Sequence, residues 1–439
     1  MKVLGMISDT LCGMLLPAVL FVAGAMFFIR IARYVFSPRF FFGGLSGGKS
    51  ALSSLWLALG GTLGVGNICG VASAIYFGGA GCVFWIWVCA LLSAVTKYAE
   101  VTLAVHFRKK TEGDYSGGAH HYIKNALGSD FLAKLFCVLC ILTAFTMGNI
   151  TQVKVAADFA RLSLNIPTVL FAAVFFFAVL ILALGKGRAI ISFTSRVVPF
   201  LCVLYTALSF ICIFIYRENI PSVTQRIISE AFTPKAGMGG VLGFLCSPAL
   251  RLGITRGVMS NEAGCGTAPI AYAAEPSATP IKSGVLGICE VLVDTLILCT
   301  LTAYAILLPS IPLVENSAMA VISAFSLTLG RWVVPALALS VFFFALASVA
   351  AWAFYAESSA RFLGTGKRFS VIFAILYAFS AFFGCFMSEG IVWSLADIFV
   401  SAMAVINISV MILLFGKVKK ITVSEYQNLK YIRYEGKKD

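Results

Sequence analysis

Two short stretches carry residues that suit neither a lipid-facing helix nor an apolar core. Residues 60–70 read Gly60-Gly61-Thr62-Leu63-Gly64-Val65-Gly66-Asn67-Ile68-Cys69-Gly70, five glycines in eleven positions. In a regular helix each glycine costs about 1 kcal/mol relative to alanine, so the sequence predicts a helix that unwinds here. Residues 253–269 hold Gly253, Gly257, Gly264, Gly266 and Pro269 around Ser260-Asn261-Glu262. An asparagine and a glutamate inside an apolar segment are expensive unless they face a cavity. Unwinding frees backbone groups for chemistry. Exposed amides and half-helix N-termini attract a carboxylate, while freed carbonyls and half-helix C-termini attract a cation. Such a pair of breaks can hold both ends of an amino acid together with an ion.

The elements that must position these breaks are set by composition. Of the 439 residues, 60% are hydrophobic and 12% charged. An ordinary soluble domain is about 45–50% apolar and about 25% charged, so lipid must be the solvent for most of this chain. Apolar segments fall at about 11–36, 51–77, 81–107, 130–160, 167–185, 189–216, 241–275, 283–309, 331–362, 369–387 and 390–416. Spans of about 20 apolar residues form helices, because lipid offers no partner for open backbone; the alternation of a membrane barrel is missing. The expected fold is therefore all-α and integral to the membrane, with about eleven transmembrane helices. Ala23-Gly24-Ala25 resembles a cleavage site, but the apolar run continues to Phe36 and reads as an uncleaved first helix.

Basic residues give the orientation. They gather after the first segment (Arg30, Arg33, Arg39, Lys49), after the third (Arg108, Lys109, Lys110, Lys124), around 186–188, at Lys282, at 361–368 and in the tail (Lys417, Lys419, Lys420). The positive-inside rule then puts the N-terminus outside and the C-terminus in the cytoplasm of a multi-pass cell-membrane protein. The same distribution explains the net charge of +14 without nucleic acid: the charges lie between apolar runs, not on one face or arm.

With the first helix set aside, ten segments remain, and the two broken ones open the first and second sets of five. Paired Gly-interrupted segments in corresponding halves point to the midplane site of an inverted-repeat transporter. Glycine also serves close helix packing, but packing alone does not explain polar residues at both breaks. The expected organisation is an extra N-terminal helix and cytoplasmic loop (1–49), a first five-helix repeat (50–216), an extracellular loop and second repeat (217–416), and a cytoplasmic tail (417–439), polar and solvated or skimming the membrane.

Over roughly 50–415 the chain resembles the alanine/glycine:cation symporter family. Three stretches carry the likeness: GNICGVASAIYFGGAGCVFWIWVCALLSAVTKYAEVTLAVHFR at 66–108, GGAHHYI at 117–123, and GITRGVMSNEAGCGTAPIAYAAE at 253–275. The resemblance implies the fold of the neurotransmitter:sodium symporters with one helix added in front, and uptake of alanine or glycine with sodium across the bilayer. It also implies site residues. The amides near Val65, Gly66 and Gly70 meet the substrate carboxylate, and Asn67 lines the site. Gln152, in GNITQ, reaches the substrate, and Trp352, in AWAFYAE, walls the pocket. Met259, Ser260 and Asn261 form the opposite wall. The sodium site takes carbonyls near Gly60, Leu63 and Phe344 and the hydroxyl of Ser348, hard neutral oxygens that suit a monovalent ion. Here the sequence departs from the family: the second hydroxyl of the usual pair falls at Ala347, and Ala351, Ala353 and Ala356 replace small or polar family positions. That leaves proton coupling as the alternative to sodium.

Other polar residues read as structural. Lys97 and Glu100 are three apart near a cytoplasmic helix end and are expected to pair or snorkel. Glu290 and Asp294 share a helix face and are expected to pair with Arg251 or Arg256, or to relay protons. Glu262 either holds its break open or touches an ion. His120 and His121 are expected as solvated loop residues, and Cys137 and Cys140 as small core residues on a continuous helix. With His106 these make three histidines and no H-E-x-x-H, which argues against a zinc hydrolase. Filter loops and charged rings of a channel are not visible either. The reading is a carrier and not an enzyme.

Overall fold

The computed structural model describes residues 6–7, 10–45, 49–111, 114–233, 247–312 and 314–435. Helix dominates, as lipid requires: each segment closes its own backbone hydrogen bonds. The described exception is a short hairpin, β1 (Lys109–Thr111) antiparallel to β2 (Asp114–Ser116), with Lys109 opposite Ser116.

A π turn at Leu11–Leu15 leads into α1 (Leu16–Val35) and the short α2 (Pro38–Gly44). Then comes the first broken helix. Its arms are α3 (Lys49–Thr62) and α4 (Cys69–Gly78), joined through a 3-10 turn at Val65–Asn67 and bent by 62°. After α5 (Cys82–His106) the hairpin carries the chain into α6 (Ala119–Leu127). Next, α7 (Asp130–Phe145) runs through a π turn at Thr146–Ile150 into α8 (Thr151–Leu164), followed by α9 (Thr168–Leu184) and α10 (Lys186–Ile215). The surface helix α11 (Ile220–Ala231) precedes the second broken helix, whose arms are α12 (Pro248–Asn261) and α13 (Ala268–Ala274). A third π turn, Leu292–Cys299, joins α14 (Pro280–Val291) to α15 (Thr300–Leu307). The chain ends with α16 (Ser317–Leu329), α17 (Val333–Phe362), α18 (Lys367–Gly384), α19 (Glu389–Leu413) and α20 (Phe415–Glu435).

Among the described residues, seven helices are long and apolar enough to cross a membrane, or eight when the first broken helix counts as one span. Their outward faces are apolar: Ile29 is 78% and Val203 70% exposed, which only a lipid solvent tolerates on this scale. Of the segments read from the sequence, 241–275 lies partly outside the described residues. The stretch between the eighth and ninth segments contains a helix of its own, α16.

The centre of the molecule is α5, packed on α12 and α14. Small residues make the approach possible. A Cβ on Gly253 would stand 2.6 Å from the Cys82 carbonyl oxygen, one on Gly257 would stand 2.7 Å from Cys89 Sγ, and one on Gly284 2.5 Å from Thr102 Oγ1. The tail is not a free solvated end. It is helical to Glu435, Thr422 is fully buried against the Tyr98 hydroxyl at 2.9 Å, and Tyr426 packs on Tyr34 and Phe40. Polar composition hid a few well-spaced apolar and hydroxyl anchors.

Candidate functional site

The two breaks lie side by side. In the first, Gly64 lies against Gln152: a Cβ there would be 2.4 Å from Gln152 Oε1, so that carboxamide would have to shift for any larger residue. That oxygen accepts the backbone N–H of Val65 at 2.9 Å, while Gln152 Nε2 donates to the Met147 carbonyl at 3.3 Å. Gln152 can reach inward because the π turn at Thr146–Ile150 re-aims the helix just before it. Gly66 faces the second broken helix, with the Met259 carbonyl oxygen 4.0 Å from where its Cβ would be, and Gly70 has open space in the same sense.

Asn67 ties the breaks together. Its Nδ2 donates to Ser260 Oγ at 2.9 Å and to Asp294 Oδ1 at 2.7 Å. Ser260 in turn donates to Asp294 Oδ2 at 2.6 Å, and Thr295 Oγ1 donates to the same oxygen at 2.7 Å. All four residues are buried. Asn67 Oδ1 and Asn261 Nδ2 are buried without a hydrogen-bond partner, although Asn261 Oδ1 accepts from the Ala263 amide. Asp294 and Thr295 sit in the third π turn. Sequence reading gave Asp294 an arginine partner, Arg251 or Arg256, or a proton relay; in the structure its carboxylate accepts from the neutral donors Asn67, Ser260 and Thr295 beside the first break. The signal was present as an acid in an apolar run, but a π turn rotates the helix face that a 3.6-residue period predicts.

A cavity of about 10 Å³, lined by Leu63, Gly64, Asn67, Ile68, Tyr205, Leu298 and Phe344, adjoins the first break. That is room for about one water, so admitting an amino acid requires the breaks to part. Leu63 and Phe344 of the expected cation site meet at this cavity. Ser348 Oγ donates to the Gly61 carbonyl at 3.0 Å, and Gly60 packs against Thr194, whose Cγ2 would be 3.0 Å from an added Cβ. Both Ala347 and Ser348 are fully buried on α17. The end of α3 and the middle of α17 are thus adjacent, with Gly61 as the residue whose carbonyl faces the hydroxyl.

Trp352 stands at the second break. Its indole lies over Gly148, where a Cβ would be 2.3 Å from Cγ, and its Nε1 donates to Glu262 Oε1 at 2.9 Å. Glu262 adopts a left-handed backbone (φ 51°) and accepts from Thr267 Oγ1 at 2.6 Å, so it bridges the break from within. Met259 Sδ is 3.2 Å from Arg256 Nη1.

Several charges are arranged differently from the sequence reading. Lys97 does not pair with Glu100. It pairs with Glu290 at 3.2 Å with both side chains fully buried, and Glu290 also accepts from Tyr272 at 2.9 Å. Close packing of α5 on α14 brings together residues 193 apart. Glu100 instead accepts the amides of Gly264 (3.3 Å) and Gly266 (2.5 Å) and the Asn407 carboxamide (2.6 Å). The freed amides of the second break are therefore already filled by a carboxylate of the protein. His120 and His121 are not solvated: they are 0% and 7% exposed, both edge-on to Phe362, and His121 lies 3.1 Å from Ser116 Oγ of the hairpin. Cys137 and Cys140 are buried free thiols on α7.

Residues 43–50, GGLSGGKS, contain the letters of a P-loop, and 44–48 those of a nucleophile elbow. Both motifs act on a turn between a strand and a helix. Here Gly43 and Gly44 close helix α2 and Lys49 and Ser50 open helix α3, so among the described residues no strand leads into the string.

The chain is similar to known transporters in sequence and in fold. A transporter of Haemophilus influenzae with no assigned substrate is 33% identical over 397 residues, covering 89% of this chain and 87% of its own. The sodium/alanine symporter AgcS of Methanococcus maripaludis is 31% identical over 399 residues, 88% of this chain and 85% of its own. Among solved structures, a sodium-coupled sialic acid symporter in a substrate-bound outward-open state shares the fold, with a TM-score of 0.52 and 13% identity over 93% of this chain and 85% of that one. The sequence pattern of the sodium:alanine symporter family matches residues 1–438, and the chain belongs to that family.

Proposed function

We propose that the protein is a secondary active symporter that imports small neutral amino acids, alanine and glycine, with sodium by alternating access. The observation that carries this reading is the Asn67–Ser260–Asp294 cluster, which joins the two helix breaks through their polar residues. The substrate carboxylate replaces Gln152 Oε1 at the amides of Val65, Gly66 and Gly70. Asn67, Met259, Ser260 and Asn261 line the other side, and Trp352 fixes the second break through Glu262. Sodium binds between the carbonyls near Gly60, Leu63 and Phe344 and the Ser348 hydroxyl. Opening and closing follow from rocking the two broken helices and their neighbours against the rest around this midplane site. Eleven spans in a 5+5 inverted repeat behind an extra first helix, with the N-terminus outside and the C-terminus in the cytoplasm, accommodate the pattern of basic loops.

Proton coupling is the second reading, favoured by Ala347 in place of a hydroxyl and by the Asp294 carboxylate, which no cationic side chain meets among its hydrogen bonds. Uptake of labelled alanine into proteoliposomes separates the two, under an inward sodium gradient and, separately, an inward proton gradient. Accumulation driven by sodium and blocked by glycine is expected. Accumulation under the proton gradient alone would transfer the coupling to a titratable group, and none under either gradient would remove the substrate assignment. Gly66→Leu fills the space facing the Met259 carbonyl and is expected to abolish uptake with normal membrane insertion.

A further inference from the structure

Arg256 is a half-buried arginine on α12, one helical turn before Ser260 and so on the same face. Its guanidinium carbon lies 4.3 Å from the ring centroid of Trp393 in the first turns of α19. Nη1 is 3.2 Å from Met259 Sδ, and Nε is buried without a hydrogen-bond partner. Among the described residues, no carboxylate lies within ion-pair distance of it. Met259 leads straight to the substrate site, since its carbonyl oxygen faces Gly66. A guanidinium in a membrane segment is functional by default, and this one has one face on an indole and donors to spare.

We propose that Arg256 and Trp393 form an outer subsite that captures the carboxylate of the incoming amino acid before it reaches the two breaks. Guanidinium donors match a carboxylate bidentately, and stacking on Trp393 holds the plane in place without neutralising it. An acidic partner would have cancelled the attraction; an aromatic one preserves it. The Met259 thioether is a soft, adaptable floor that lets the guanidinium swing and hand the substrate on. The subsite lies on the α12 side of the second break, the side that the basic-loop pattern assigns to the exterior, so it serves uptake and not release. It also selects: an amino acid amide lacking the carboxylate gains nothing there.

The inference rests on the amino-acid symport reading, and the test keeps the two apart. Alanine uptake by the full-length protein is measured in proteoliposomes of fixed orientation for the wild type, Arg256→Gln, Arg256→Lys and Trp393→Leu, over a range of ionic strength. Arg256→Gln is expected to raise the outside KM by roughly tenfold, leave kcat and the inside KM for exchange near the wild-type values, and flatten the dependence of uptake on salt. Arg256→Lys restores part of the effect, and Trp393→Leu gives an intermediate KM. A structural role alone would lower kcat or protein yield and move both KM values together. Equal outside KM and equal salt dependence in wild type and Arg256→Gln would overturn the subsite while leaving symport intact. Failure of the wild type to accumulate alanine would instead overturn the symport reading, and with it the carboxylate that Arg256 is assigned to capture.

Discussion

Gln152 Oε1 accepts the backbone N–H of Val65 at 2.9 Å, so a side-chain carboxamide occupies the amide that an amino-acid carboxylate would use. On the proposed reading, substrate binds by exchanging one acceptor for another at the Val65 amide. Gln152→Leu removes the stand-in and leaves that N–H unsatisfied, a cost of about 1–3 kcal/mol. The expected result is a lower thermal midpoint for the purified variant and a larger upward shift on adding alanine than the wild type shows. An equal or smaller shift would mean that Gln152 does not stand in for the carboxylate. Gly64→Ala would place a Cβ 2.4 Å from the same oxygen and is expected to push the Gln152 carboxamide off the Val65 amide, lowering the thermal midpoint in the same direction as Gln152→Leu.

The breaks themselves were legible because glycine clusters and mid-span polar residues violate helical rules in ways that few structures other than a binding site excuse. That logic marked the stretches that hold Asn67 and Ser260, and the family resemblance supplied the roles expected of them. Asp294 and the inward reach of Gln152 were harder, since both depend on π turns that no local residue announces. The pairing of Lys97 with Glu290 and the filling of the second break by Glu100 depend on how α5 packs against α12, α14 and α19. Sequence spacing could suggest only the nearest acid three residues away.

Lys97 and Glu290 form a fully buried ion pair at 3.2 Å. Removing one partner leaves a charge in a medium that cannot solvate it, which costs about 3–5 kcal/mol, whereas replacing both with apolar residues of similar volume is close to neutral. Lys97→Met is expected to lose most of its folded yield in detergent, with Lys97→Met/Glu290→Met recovering stability measured by thermal unfolding. Two equally damaged proteins would show that the lysine serves Glu100 or Glu262 as much as Glu290.

His121 gives the hairpin region a pH dependence with a definite sign. Burial, then Lys109 and Lys124, hold its imidazole down to about 4, against about 6.5 in an unfolded chain. Between those values the unfolded form binds the proton and the folded form does not, so stability falls as pH drops from about 6.5 towards 4. Hydrogen exchange of residues 109–127 should accelerate over that window. His121→Gln, which cannot take up the proton but can still bond Ser116 Oγ, found 3.1 Å from the imidazole, should reduce the slope, and the remainder belongs to His120, which burial also holds well below the ordinary imidazole value. An unchanged slope in the variant would remove His121 from the titration.

Asp294 is where the choice of coupling ion can be read from one substitution. Its two oxygens accept from Asn67, Ser260 and Thr295, so Asp294→Asn keeps the size and much of the hydrogen bonding while removing the charge. If that charge balances the coupled cation beside the breaks, the sodium concentration for half-maximal alanine uptake rises by roughly tenfold or more, about 1.4 kcal/mol or greater in the coupled step. If the carboxylate carries a proton instead, the variant loses uphill accumulation under a proton gradient but still exchanges labelled for unlabelled alanine, because exchange needs no net proton movement. If Asp294 only spaces α4, α12 and α15, both sodium activation and exchange stay at wild-type values. The cluster that joins the two breaks would then be a structural joint, and coupling would rest on the carbonyls near Gly60, Leu63 and Phe344 and the Ser348 hydroxyl alone.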